Sequence, residues 1–275
     1  MNMKSSAEPD LDPVNMLKWY VECGVDETIS ETPINWFEQT NNSPIKQQVK
    51  TASSPQEQPA SRPAKTTPLA SQKELIDSAE KIAAECSSLE QLNEAILAYD
   101  GCSLKKTASN TVFSDGNAQS DIMLIGEAPG AEEDKIGKPF ISQSGQLLDR
   151  MFGAINMSRE TDFYITNLLP WRPPGNRKPT DAECELCLPF LKRHIELFNP
   201  KMIILIGGTS ASTVLNVETG ITKLRGKWND YTLADKQVPM MAIFHPAYLI
   251  KQPHYKKQTW HDLLTIKEKL EDLSK

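Results

Sequence analysis

The chain has 275 residues and a formal net charge of −6, with 30 Lys and Arg against 36 Asp and Glu, so it is not coated in the basic charge that many nucleic-acid proteins carry. The charge is uneven, however: residues 222–257 hold Lys223, Arg225, Lys227, Lys236, Lys251, Lys256 and Lys257 against Asp230 and Asp235, seven minus two, a local +5 that allows one basic face. No apolar run reaches the roughly 18 residues of a membrane span, and the start MNMKSSAEPDLDP lacks the core of a signal peptide, so a soluble, cytosolic protein is expected.

In chain order, residues 1–37 carry an aromatic segment. Within it, VNMLKWYVECGVDETISETPINWF at 14–37 puts Leu17, Trp19, Tyr20, Val21, Val25, Trp36 and Phe37 in a short helix-like piece and its tail. Such a piece cannot bury itself alone, and it reads either as docking on its own domain or as a binding motif for a protein partner. Residues 38–72, rich in Gln, Ser, Thr, Pro and Ala, read as a disordered linker. The remainder, 73–275, is long enough for one domain of about 200 residues with a full core.

From residue 73, KELIDSAEKIAAECSSLEQLNEAILAYD shows helical spacing, with Ser88 as a cap between two helices. Apolar runs at 121–126, 163–168, 202–207 and 240–244 then alternate with helical patterns near 143–155, 181–198, 208–217 and 256–273. That alternation requires crossover connections and a parallel sheet covered on both faces. The expected fold is therefore a three-layer α/β/α sandwich around a central four-stranded, mainly parallel sheet.

Three of these runs end in polar residues, and strand ends are where such sheets bind ligands. DIMLI empties into GEAPGAEEDKIGKPF, with Glu127, Glu132, Glu133, Asp134 and Phe140. FYITN ends at Asn167 and opens the rigid LLPWRPPGNRKP. PMMAIF ends at His245, where Pro246 argues against a continuing central strand.

These three motifs, in this order and spacing, resemble those of a family-four, thermophile-type uracil-DNA glycosylase over roughly residues 72–273. The resemblance implies the same sandwich fold and base excision repair: hydrolysis of the N-glycosidic bond of deoxyuridine in DNA, single- or double-stranded, leaving an abasic site. The base is flipped from the stack and read in a pocket. Asn167 then reads the uracil edge, with one donor and one acceptor that complement O4 and N3–H. Phe140 stacks on the base, and His245 donates a hydrogen bond to O2 as negative charge grows. Glu127 orients the water, since Ala128 stands where another branch has an Asp, while the backbone of Ala128 to Gly130 binds water or phosphate. Glu133 crowds C5. Tyr248 and Leu249 wedge into the duplex, and Arg172, Arg177, Lys223 and Arg225 contact phosphates. A nucleoid-associated monomer is expected.

The same resemblance implies a [4Fe–4S] cluster on four cysteines, at positions 99, 102, 171 and 187. The sequence has Tyr99, Cys102, Trp171 and Cys187, so half the thiolates are missing. No cofactor is therefore expected, with Tyr99 and Trp171 packing as a small core of their own; Cys184 is the alternative ligand. A binding module without turnover is the competing reading. A nucleotide-cofactor protein would need a G-x-G-x-x-G or P-loop motif, and neither is present.

Overall fold

A computed structural model describes residues 71–273. The aromatic segment at 14–37 and nearly all of the linker expected at 38–72 lie outside the described residues. The first helix, α1 (Gln72–Glu85), opens on a capping box: Ser71 Oγ accepts from Glu74 N at 3.3 Å, and Ser71 N donates to Glu74 Oε2 at 2.7 Å. Helix α2 (Leu89–Ala98) is capped by Ser88, whose hydroxyl accepts from Gln91 N, as the sequence predicts. Both pack on α5 (Asp181–Phe198). There a second capping box, Thr180 with Glu183, fixes the start, and Asn199 in the left-handed conformation ends the helix.

Six strands form one sheet in the order β1–β3–β2–β4–β6–β5. The central four, β3 (Tyr164–Asn167), β2 (Ile122–Gly126), β4 (Met202–Ile206) and β6 (Lys236–Ile243), are mutually parallel and coincide with the four apolar runs of the sequence. Two edge strands extend the expected four-stranded sheet, and two short helices, α6 (Gly208–Leu215) and α7 (Ile221–Leu224), follow β4. β1 (Ser114–Gly116) runs antiparallel to β3, and β5 (Trp228–Leu233) forms an antiparallel hairpin with β6 through Ala234, at φ 50°. Pro239 is tolerated because β6 joins the parallel ladder only from Met240 onward.

Period-two alternation divides the sheet between two cores. Met123, Ile125, Ile203, Leu205, Met240 and Ala242 point to the layer containing α1, α2 and α5. Leu124, Ile204, Ile206, Met241 and Ile243 point to the other layer, with Leu148 and Phe152 of α4 (Gln143–Gly153) and Leu263 and Ile266 of α9 (Lys256–Leu273). At about 25 cal/mol per Å² of apolar surface, burial on both faces is what holds strands with so few polar residues in place. Among the described residues, no helix is long and apolar enough to cross a membrane.

Candidate active site

The carboxyl ends of β2, β3 and β6 open into one cavity of about 490 Å³ lined by Glu127, Ala128, Gly130, Glu133, Phe140, Asn167, Arg177 and His245, among others. Residues from three separate strand ends thus meet, as the sequence reading requires. The contact is close because of Gly126: a Cβ there would stand 2.7 Å from Phe140 Cζ and would also strike Asn167 Oδ1. Glycine at this position lets the amide and the ring sit side by side.

Asn167 is 6 % exposed, and its Oδ1 is the one buried side-chain polar atom among the described residues that has no hydrogen-bond partner. A buried orphan acceptor costs about 1–3 kcal/mol, so it marks a place where a donor is expected from outside the protein. The Phe140 and His245 rings stand 5.5 Å apart, tilted by 30°, on the pocket wall.

His245 caps the short helix α8 (Pro246–Lys251). Its Nδ1 accepts from Ala247 N at 3.1 Å, which fixes the ring so that the neutral form carries its proton on Nε2. Burial lowers its pKa to about 4, outweighing the upward pull of Glu133. The imidazole is therefore neutral at pH 7 and keeps one N–H to donate.

The acidic run divides by burial. Glu127 and Glu133 line the cavity, whereas Glu132 is exposed. Asp134 is buried away from the cavity, accepting from Ser109 N and Asn110 N and thereby tying α3 (Ala131–Ile136) to the loop before β1. Glu133 accepts from Ile141 N and Ser142 N at 3.1 and 3.0 Å. Burial works to raise its pKa, but these hydrogen bonds together hold it below the usual carboxylate range.

Two expected DNA contacts need correction. Leu249 is 1 % exposed and belongs to the core with Leu263, so it is no wedge; Tyr248 is 39 % exposed and its ring packs against Phe244 and Tyr255. Arg225 is engaged by Asp262, Gln258 and the Phe244 ring, so its guanidinium braces α9 and is not offered to phosphate. Lys223 is exposed but does not line the cavity. Arg172 hydrogen-bonds Asn176, and Arg177, on the cavity rim, forms a two-pronged pair with Glu183. Lys251 also lines the cavity; it belonged to the basic stretch of the sequence, but only the single-turn path from His245 through α8 brings it to the rim.

Tyr99 lies beside Cys102 and Cys187, and all three share one buried core with Trp171. They form no small core of their own and are continuous with the core beneath α1, α2 and α5. The Tyr99 ring folds back over Gly101, donates from its hydroxyl to Leu75 O at 2.9 Å and meets Phe190 edge-on at 5.1 Å. Trp171, 1 % exposed, donates to Thr111 Oγ1 at 2.9 Å. Burial, with the nearby Cys102 and Cys187, pushes the Tyr99 phenol up to about 12. Two thiols, an indole and a phenol with its proton engaged do not match the four thiolates of a cubane, and no group of three or more His, Cys, Asp or Glu among the described residues is disposed to hold a metal.

Comparison with known proteins agrees with this geometry. A family model described as the uracil DNA glycosylase superfamily matches residues 113–264. The type-4 uracil-DNA glycosylase of Archaeoglobus fulgidus is 37 % identical over 185 residues, 66 % of this chain and 92 % of its own length. Those of Sulfurisphaera tokodaii and Saccharolobus solfataricus are 34 % and 37 % identical, each over 66 % of this chain and over 84 % and 87 % of their own lengths. By the family model and these relatives together, the chain belongs to the uracil-DNA glycosylase superfamily, in its type-4 branch.

Proposed function

We propose that this protein excises uracil from DNA by hydrolysing the C1′–N1 glycosidic bond, releasing the base and leaving an abasic site for repair. The observation that carries the reading is the buried, unpartnered Oδ1 of Asn167, a residue in the wall of the cavity that Phe140 and His245 also line. A flipped uracil supplies the missing donor from N3–H, and the Asn167 amide N–H returns a bond to O4. Cytosine presents an acceptor at N3 and a donor at C4, leaving like groups opposed at both positions. Phe140 stacks on the base, which contributes about 1–3 kcal/mol without obstructing the edge being read.

As the bond breaks, the sugar gains oxocarbenium character and the electron pair passes to the base. His245 Nε2–H donates to O2, where that charge collects, and a neutral imidazole does this without itself losing a proton. Glu127 accepts a hydrogen bond from the water that attacks C1′ and its charge stabilises the cationic sugar. Glu133 lies beside the position of C5, against a methyl group there. The backbone at Ala128 to Gly130 faces the same space. Arg172, Arg177, Lys223 and Lys251 are the cations proposed for the phosphates, with Tyr248 filling the gap in the stack. A gel assay for abasic sites on single-stranded and duplex uracil oligonucleotides tests the proposal; tight binding without release of uracil would establish a binding module instead.

The enzyme is further proposed to work without iron, as a cytosolic, nucleoid-associated monomer, with segment 14–37 recruiting a protein partner. Support for the first point is that Tyr99 and Trp171, at two of the four cluster positions, are buried with their polar hydrogens already engaged. Protein purified anaerobically should be colourless, and stoichiometric iron and sulfide would refute this.

A further inference from the structure

We infer that Arg159 is a positioning residue for uracil excision, acting through Phe140, whose ring it holds at the angle stacking requires. This rests on the reading of Phe140 as the stacking platform. Phe140 has a φ of 52°, the left-handed region that an L-residue with a bulky side chain seldom enters, so an external constraint must keep it there. Arg159 supplies one. Its Nη2 donates to the Phe140 carbonyl at 2.7 Å and its Nη1 to the Pro139 carbonyl at 3.0 Å.

The guanidinium is itself fixed: Nε and Nη2 donate to Asp149 Oδ1 at 3.0 and 2.9 Å, and Nη1 to Asp115 Oδ2 at 3.1 Å. Lys138 holds the other oxygen of Asp115 at 3.0 Å. Burial tends to raise the Asp115 pKa, yet Lys138 and Arg159 together hold that carboxyl below its ordinary range, so the anchor stays charged. The Arg159 side chain is 10 % exposed and does not line the uracil cavity, so any effect on catalysis must pass through what it holds.

The strap is two-sided. While Arg159 takes the carbonyls of 139 and 140, Glu133 takes the amides of 141 and 142, so four consecutive residues have a backbone group tied to a buried charge. Gly145 closes the third side: a Cβ there would overlap the Phe140 carbonyl. Only a planar fork with several donors can serve two carbonyls and two carboxylates at once, which lysine cannot do although it keeps the charge.

The test is a double-mutant cycle on full-length protein, reading single-turnover uracil release from a uracil oligonucleotide together with DNA affinity and thermal melting. Arg159→Lys should slow release by roughly 10- to 100-fold, the scale for a misplaced binding element, with DNA affinity changed by less than about 3-fold. In a Phe140→Ala background the same substitution should cost less than about 3-fold, because the platform it positions is gone. Asp149→Asn, which takes the charge from one support of the guanidinium and touches neither Phe140 nor the cavity, should give a smaller loss in the same direction and serves as the test if Arg159→Lys does not fold. Equal losses with and without Phe140 would overturn the inference and leave the stacking reading intact. Phe140→Ala at full rate would overturn the stacking reading itself, and the inference with it.

Discussion

Trp171→Ala removes a side chain that is 1 % exposed, packed in the core with Tyr99, Cys102 and Cys187, and hydrogen-bonded to Thr111. Deleting a buried Trp costs about 3–5 kcal/mol when its surroundings cannot collapse, and here the adjacent backbone is held by Val112 N donating to Pro170 O at 2.8 Å and by β3 just upstream. Thr111 is only partly buried and can turn to water, so the lost indole bond adds at most about 1 kcal/mol. A loss near 4 kcal/mol in a domain of this size lowers the melting temperature by roughly 8–16 °C. Chemical denaturation followed by circular dichroism measures the free energy, with Cys102→Ser as the comparison. If an iron site held this region together, the order would reverse: Cys102→Ser would be the damaging change. A loss below about 1 kcal/mol for Trp171→Ala would refute the packing argument.

Asn167→Asp should lower uracil release steeply, because a carboxylate cannot donate to O4, and any new activity should favour cytosine; an unaltered uracil rate would remove Asn167 from recognition. His245→Ala should slow single-turnover cleavage by roughly 10²–10³-fold with DNA affinity preserved, the usual size for one preorganised donor. Gly126→Ala should be as harmful as losing Asn167, since its methyl would occupy the corner where Asn167 meets Phe140; a crystal structure of that variant with both side chains unmoved would contradict this. Burial lowers His245 to about 4 and His194 to about 3, so the unfolded chain binds more protons than the folded one between those values and the ordinary 6.5. Stability from these two groups is therefore complete above pH 6.5 and lost as pH falls toward 4 and 3. Melting temperatures measured from pH 7 to 4 should decline, and a rise on acidification would contradict the assignment.

β2 and β4 were legible because each is an unbroken apolar run buried on both faces, and α5 because its pattern at 181–198 is long and capped. β1 and β5 were not. Ser114–Gly116 has no buried residue, and Trp228–Leu233 has only Leu233 fully inside, so neither carries the signal of a strand against a core. Glu127, Asn167 and His245 stood out because each ends or directly follows an apolar run. The fate of Arg225 was hidden, since its partners Gln258 and Asp262 lie 33 and 37 residues further along. Leu249 misled for a related reason: on a one-turn helix, which side faces α9 is decided by packing and leaves no trace in local spacing. Arg159 offered no local sign, because its importance depends on carbonyl groups, which sequence patterns do not distinguish.

The pocket draws on residues 127, 167 and 245, delivered by β2, β3 and β6, while β4 lies between β2 and β6 and supplies none of these three residues. β4 thus sets the distance between Glu127 and His245, and a chain emerging from the ribosome cannot bring them together until β6 has been made and paired beside β4. Such distant pairing is slow compared with helix formation. During refolding, helical signal should return well before uracil release does, and activity should recover in step with the last parallel strand.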